Sequence, residues 1–124
     1  MYKTFHAQEK FMDCIFCKIA AGKLPATVIY HDKEVVAFDD IYPKAPHHKV
    51  IIPKKHIATI NDLKEEDKDL IGHMVYVAKN IALEIGIAES GYRVLMNCNA
   101  DGGQAVYHIH LHLIGGRPLH WPPG

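Results

Sequence analysis

The chain has 124 residues, with 14 Lys and Arg against 14 Asp and Glu, and 48% of it is hydrophobic. That length bounds it to one domain, large enough for a core but small for a monomeric enzyme, and the balanced charge excludes a field that favours nucleic acid or an anionic membrane surface. No apolar run approaches the roughly 20 residues of a membrane span, Met1 to Asp13 lacks a signal-peptide core, and three cysteines are too few and too odd for a disulfide framework. The expected setting is the cytoplasm, with reduced thiols.

In chain order, residues 1–12 read as a loosely ordered leader and residues 13–124 as one domain. Asp13 is placed to cap a short helix over Cys14 to Ala20, ended by Gly22. Val28 to Tyr30 and Val35 to Phe38 are short strands joined by a turn at His31-Asp32-Lys33. Tyr42-Pro43-Lys44-Ala45-Pro46 is a loop, and Lys49 to Ile52 a third strand stopped by Pro53. Ile71, Met74, Val75, Ala78, Ile81, Ala82 and Ile85 keep a helical rhythm. Asn61 or Asp62 marks the start of that helix and Gly86 its stop, with Glu65, Glu66 and Asp67 favourable near the positive end. Tyr92 to Cys98 is a strand, Asn99 to Gly103 a turn and Val106 to Ile114 a strand, the last two forming a hairpin. Antiparallel strands with one long helix on one face define an α+β layer.

The last strand carries the chemistry. His108, His110 and His112 alternate with Ile109, Leu111 and Leu113. Extended chain sends alternate side chains to opposite faces. The three imidazoles therefore share one face, open to a ligand, while the aliphatic side chains pack under the helix. Such a row fits metal binding or chemistry on an anion. The prelude Gly102-Gly103-Gln104 points to the second, because glycines let backbone N–H groups approach phosphate oxygens closely.

Other motifs occur in order around this row. They are Cys14-Ile-Phe-Cys17, Ala37-Phe38-Asp39-Asp40-Ile41, His48-Lys-Val-Ile-Ile-Pro53-Lys-Lys-His56, Gly91-Tyr92-Arg93, Asn97, Gly115-Gly116-Arg117 and Trp121-Pro122-Pro123-Gly124. Together they resemble the histidine-triad (HIT) superfamily of nucleotide hydrolases and transferases, over about residues 13 to 124. The ending is similar to the HINT branch, whose members are purine nucleoside phosphoramidases.

The resemblance assigns roles residue by residue. His110 is the nucleophile that attacks the α-phosphorus of a purine nucleotide, giving a nucleotidyl-histidine that water then hydrolyses. His112 binds phosphate oxygens or serves the leaving amine as acid. His48 supports the triad by orienting a catalytic imidazole. Gly103, Gln104 and Ala105 form the phosphate cradle, with alanine where HINT members often have serine, a departure that bears on leaving-group preference. Asn97 binds phosphate or ribose. Asp40 accepts both ribose hydroxyls, for which an ionised carboxylate is suited because it only accepts. Ile41, Phe38 and Phe16 line the base pocket, with core packing the rival reading for all three.

Cys14-x-x-Cys17 alone supplies half of a zinc tetrahedron. In some HIT proteins the histidine after Ile-Pro-Lys-x and the first triad histidine complete a structural zinc site, and the matching residues are His56 and His108. The alternative is a metal-free protein in which His108 is a hydrogen-bonding core residue. Catalysis needs no cofactor in either case. Cys98 reads as a buried small residue. The resemblance also implies a two-fold homodimer whose sheets continue across the interface. The function implied is hydrolysis of adenosine-type 5′-phosphoramidates to the nucleoside monophosphate and an amine. The rivals are a dinucleoside polyphosphate hydrolase of the Fhit type, disfavoured by the Gly-Gly-Arg and Trp-Pro-Pro-Gly ending, and a non-catalytic nucleotide- or zinc-binding interaction module.

Overall fold

The computed structural model describes residues 13–124, and the expected leader lies outside the described residues. Helix α1 spans Ile15–Ala20, and strands β1 (Val28–His31), β2 (Val35–Asp39) and β3 (His47–Pro53) follow it. Two 3-10 turns, Ile60–Asp62 and Glu65–Asp67, lead into the long helix α2 (Lys68–Glu84). Strand β4 (Tyr92–Leu95), the single turn α3 (Asn99–Gly102) and strand β5 (Leu111–Gly115) come last. All neighbouring strands are antiparallel, in the order β1-β2-β3-β5-β4. This is the α+β layer read from the sequence, with β4 and β5 paired as expected.

Strand alternation divides the sheet's side chains between two cores. Val35, Ala37, Ile51, Leu111 and Leu113 face α2, where they meet Met74, Val77, Ala78 and Ile81. Val36, Phe38, Val50 and Ile52 face the other way, onto Cys14 and Phe16 of the α1 segment. Both faces of β2 and β3 are thus covered, which is why they read as continuous apolar runs rather than alternating ones. Met74 is fully buried where α2 crosses the sheet. Met74→Ala is expected to cost about 2–5 kcal/mol of unfolding free energy through lost burial and a residual cavity, measurable by urea denaturation.

Helix α2 stops as expected. Gly86 adopts φ 83°, its N–H bonds Leu83 O and the Ile87 N–H bonds Ala82 O. That left-handed turn suits glycine and satisfies two of the helix's last carbonyls.

Several boundaries differ from those expected. The cap of α1 is Cys14, whose sulfur accepts the Cys17 N–H, not Asp13. Helix α2 begins at Lys68 rather than near Asn61, because Thr59 and Asp62 cap each other across a separate 3-10 turn. Pro53 ends β3 from inside the strand, opposite Val35. β4 stops at Leu95, and residues 99–102 wind into α3 instead of a plain turn. β5 begins only at Leu111, since the Ile109 N–H leaves the sheet for Ile57 O. Cys98 is half-buried, not buried.

Candidate active site

The strand pairing assembles the site. Registers His48↔Ile114 and Val50↔His112 bring the N-terminal half of β3 against β5, and Leu95↔His112 brings the end of β4 beside them. A cleft of about 450 Å³ opens there. Its lining includes His48, His110, His112, Asp40, Asn97 and Phe16, together with Gly103 and Ala105.

The three triad histidines lie on one side of the chain, as expected, but not in one environment. The His110 and His112 rings stand 4.9 Å apart between centroids, and Phe16 sits edge-on to both His108 and His110. α1 therefore roofs part of the face that the alternation leaves open. His108 is fully buried, His110 is buried and His112 is half-exposed. Only the last two line the cleft.

Hydrogen bonds fix how each ring is protonated. His110 Nδ1 lies 2.7 Å from the carbonyl of His108. A carbonyl only accepts, so Nδ1 carries the proton and Nε2 the lone pair. His108 Nε2 lies 2.7 Å from Pro53 O, so there the proton is on Nε2 and the lone pair on Nδ1. The Lys44 N–H donates to His48 Nδ1 at 3.0 Å. Neutral His48 therefore carries its proton on Nε2, which reaches His112 Nδ1 at 2.9 Å. His112 accepts there and keeps its own proton on Nε2.

Burial keeps these rings neutral. It pushes the proton affinity of His112 down to about 4, helped by the neighbouring His110 and His48. Burial likewise takes His108 to about 4 against the opposing bond to Pro53 O, and lowers His110 and His48 as well. His112 is thus a neutral N–H donor in the unliganded protein rather than the cation that would bind phosphate most strongly. The pH dependence follows. Between the ordinary 6.5 and about 4 for His112, the unfolded chain binds more protons than the folded one, so acid favours unfolding. Unfolding free energy from urea titrations is expected to fall across that window, with a shallower fall in His112→Asn.

Asp40 bonds the Tyr42 N–H through Oδ1 at 2.7 Å and stands 3.4 Å from His48 Nε2 through Oδ2. Asn97 lines the same cleft. Three expected residues are placed differently. Ile41 is 80% exposed and is not part of the cleft lining. Phe38 stands behind Phe16, edge to face at 5.6 Å. Gln104 turns inward, donating to Ala58 O and Val106 O and accepting the Asn99 N–H. It braces the loop. The amides of Gly103 and Gln104 are committed to Ala100 O and Asn99 O, while Gly103 and the exposed Ala105 line the cleft.

Sequence reasoning missed Tyr42, Lys44, Val50, Leu95, Val106 and Ile114 in the lining. No local signal marks them. Leu95, Val50 and Ile114 reach the cleft only through strand register.

Behind the cleft, Cys14, Cys17, His56 and His108 bring one ligand atom each to within 4.8 Å of one another. His108 Nδ1 is 3.3 Å from the Cys14 sulfur and 3.5 Å from that of Cys17, and His56 Nδ1 is 3.2 Å from both Cys17 sulfur and His108 Nδ1. Burial, then the neighbouring Cys14, pushes the Cys17 thiol up to about 12, so only a bound cation would make it a thiolate at neutral pH. Asp40, His48 and His112 also gather within 4.8 Å, but hydrogen bonds within the site already account for that grouping.

Sequence and fold comparisons agree with this geometry. A family model described as scavenger mRNA decapping enzyme C-term binding matches residues 13–118. The purine nucleoside phosphoramidase of Escherichia coli (strain K12) is 51% identical over 107 residues, covering 86% of this chain and 90% of that protein. A HIT family hydrolase from Legionella pneumophila Philadelphia 1 superposes with a TM-score of 0.88 at 57% identity, covering 90% of this chain and 99% of that one. A histidine triad protein from Clostridium difficile gives 0.86 at 45% identity, covering 88% and 95%. The fold and site are those of a small α+β protein built around a histidine row. The chain belongs to the histidine-triad family and groups with its hydrolases. No helix among the described residues is long and apolar enough to cross a membrane.

Proposed function

We propose that this protein hydrolyses purine nucleoside 5′-phosphoramidates, of the adenosine type, to the nucleoside monophosphate and an amine through a nucleotidyl-His110 intermediate. The observation that carries this reading is the pair of fixed ring tautomers: a lone pair on His110 Nε2 beside an N–H on His112 Nε2, both on residues that line one cleft. A neutral imidazole lone pair attacks the α-phosphorus, and the phosphorus–nitrogen bond breaks. The anionic phosphate of the bound substrate brings His112 to its cationic form by uptake of one proton from solvent, and the departing amine takes a proton from it. In the second step water attacks the nucleotidyl-histidine and returns a proton to His112, restoring both rings. Asp40 holds the ribose hydroxyls, the Phe16 side takes the base, and Asn97 with the backbone at Ala105 meets the phosphate. The name of the Escherichia coli relative supports the choice of substrate.

The test is turnover of an adenosine phosphoramidate bearing a fluorescent amine, with acid-free quenching and intact-protein mass analysis to trap the adduct. Amine release with a transient nucleotidyl adduct is expected. Binding of AMP without release would favour the non-catalytic module.

The cysteine–histidine cluster fits structural zinc. Zinc bonds of about 2.0–2.1 Å to nitrogen and 2.3 Å to sulfur imply tetrahedral edges of roughly 3.3–3.8 Å; four of the separations are 3.2–3.5 Å, and all ligand atoms lie within 4.8 Å of one another. Cys14, Cys17, His56 and His108 would hold the ion, which would supply cross-linking and no step of the reaction. For the homodimer, Val75, Tyr76 and Leu83 are exposed apolar side chains on the outer side of α2, and β4 is an edge strand. Both suit a two-fold interface through which the sheets run on.

A further inference from the structure

We propose that Arg117 is a positioning residue for His112, acting through the backbone of Lys44 and the ring of His48. The proposal rests on the reading of His112 as the group that serves the leaving amine.

Lys44 is held on both sides of its Cα. Its N–H donates to His48 Nδ1 at 3.0 Å, and its carbonyl accepts from Arg117 Nη2 at 2.9 Å. The other guanidinium nitrogen, Nη1, donates to Pro118 O at 3.0 Å, so the planar fork spans the tail and the loop at once. From Lys44 the chain of bonds runs inward. His48 Nε2–H reaches His112 Nδ1 at 2.9 Å, and His112 is left with its proton on the nitrogen that faces substrate. Without the Lys44 N–H on His48 Nδ1, the tautomer of His48 rests on the longer 3.4 Å approach of Asp40 Oδ2 to Nε2 alone, and that of His112 loosens with it.

Gly116 sets the reach of Arg117. A Cβ at this position would stand 2.9 Å from Pro46 Cβ and 3.0 Å from His47 Cδ2, and the residue holds φ +97°. Any other residue would lift the tail off the loop that contains Lys44. Lys44 Nζ also bonds Tyr42 O at 3.0 Å, and the Tyr42 N–H bonds Asp40. The loop therefore carries information from the tail to the ribose carboxylate and the imidazole pair together. Arg93 supplies a natural control. It too bonds a tail carbonyl, that of His120, at 2.9 Å, but it makes no bond to Lys44.

The experiment compares wild type, Arg117→Ala, Arg117→Lys and Arg93→Ala. Histidine-ring proton–nitrogen correlation spectra of the nucleotide-free proteins report which nitrogen of His48 and His112 is protonated. Steady-state kinetics use the fluorescent-amine phosphoramidate. Arg117→Ala is expected to mix the two tautomers and lower kcat about 5- to 10-fold with KM changed less than about twofold, as for a reacting group slightly misplaced. Arg117→Lys, which keeps a cationic donor group but replaces the two-nitrogen fork by a single ammonium, restores most of both, and Arg93→Ala leaves the ring signals as in wild type. Wild-type ring signals in Arg117→Ala would overturn the proposal. So would the same mixing in Arg93→Ala, which would mean that any loosening of the tail suffices. Absence of turnover in wild type would count against the phosphoramidase reading instead, and the ring spectra would still decide the part played by Arg117.

Discussion

His110→Ala is expected to lower kcat/KM for the adenosine phosphoramidate by at least about 10³-fold, the scale of removing a covalent nucleophile. The nucleotidyl adduct should vanish with it. The variant should still fold, since His110 sits outside the sheet and its ring bonds a carbonyl two residues away. It should also bind AMP within about tenfold of wild type, because Asp40, Asn97 and the Phe16 wall are untouched and only one of several contacts is lost. Turnover that survives the substitution would remove His110 from the nucleophile role. The expectation is sharp because the tautomer is dictated by a backbone carbonyl. No side-chain partner needs to be mutated or titrated for Nε2 to hold its lone pair.

The second large effect concerns the cluster behind the cleft. Protein purified without added metal is expected to carry about one zinc per chain, bound by four protein ligands. Cys17→Ala should lose it and lower the unfolding free energy by at least about 3 kcal/mol, because metal-binding energy at a structural site is folding energy. A strong chelator should lower the wild-type Tm and leave that of Cys17→Ala unchanged. Metal-free protein whose Tm ignores the chelator would return His108 to the part of a hydrogen-bonding core residue. The sulfur and nitrogen atoms are already gathered at short range, so the variant's loss is expected without rearrangement of the sheet.

What the sequence discloses here depends on distance along the chain. The histidine row, the glycine prelude and the Cys-x-x-Cys pair are local patterns; His110, His112 and Gly103 reach the cleft, and the cysteines gather with His108 behind it. The α2 core stripe is equally legible, because the helical period writes Met74, Ala78, Ile81 and Ala82 onto one face. Alternation also put the three histidines on one side. It misjudged their exposure, because the cover comes from α1, roughly ninety residues away in sequence. Gln104 shows another limit. A glutamine after two glycines reads as a ligand-facing residue, yet a loop that dips into the protein needs its carbonyls satisfied, and the side chain meets Ala58 O and Val106 O instead. Val50, Leu95 and Ile114 owe their place at the cleft to strand register alone, which no single segment encodes.

Helix α1 has a consequence for how ligands report on one another. Phe16 lies in it between the capping Cys14 and Cys17, and its ring stands edge-on to His110 at 5.0 Å. The segment from Cys14 to Ala20 would therefore serve as a lid on the nucleotide side and an anchor on the metal side. If an ion orders this helix, it raises the affinity for nucleotide by some factor, and thermodynamic linkage requires nucleotide to raise the affinity for the ion by the same factor. A titration of either ligand in the presence of the other then measures one coupling energy twice. Disagreement between the two values would show that a further equilibrium, such as subunit association, is being titrated as well.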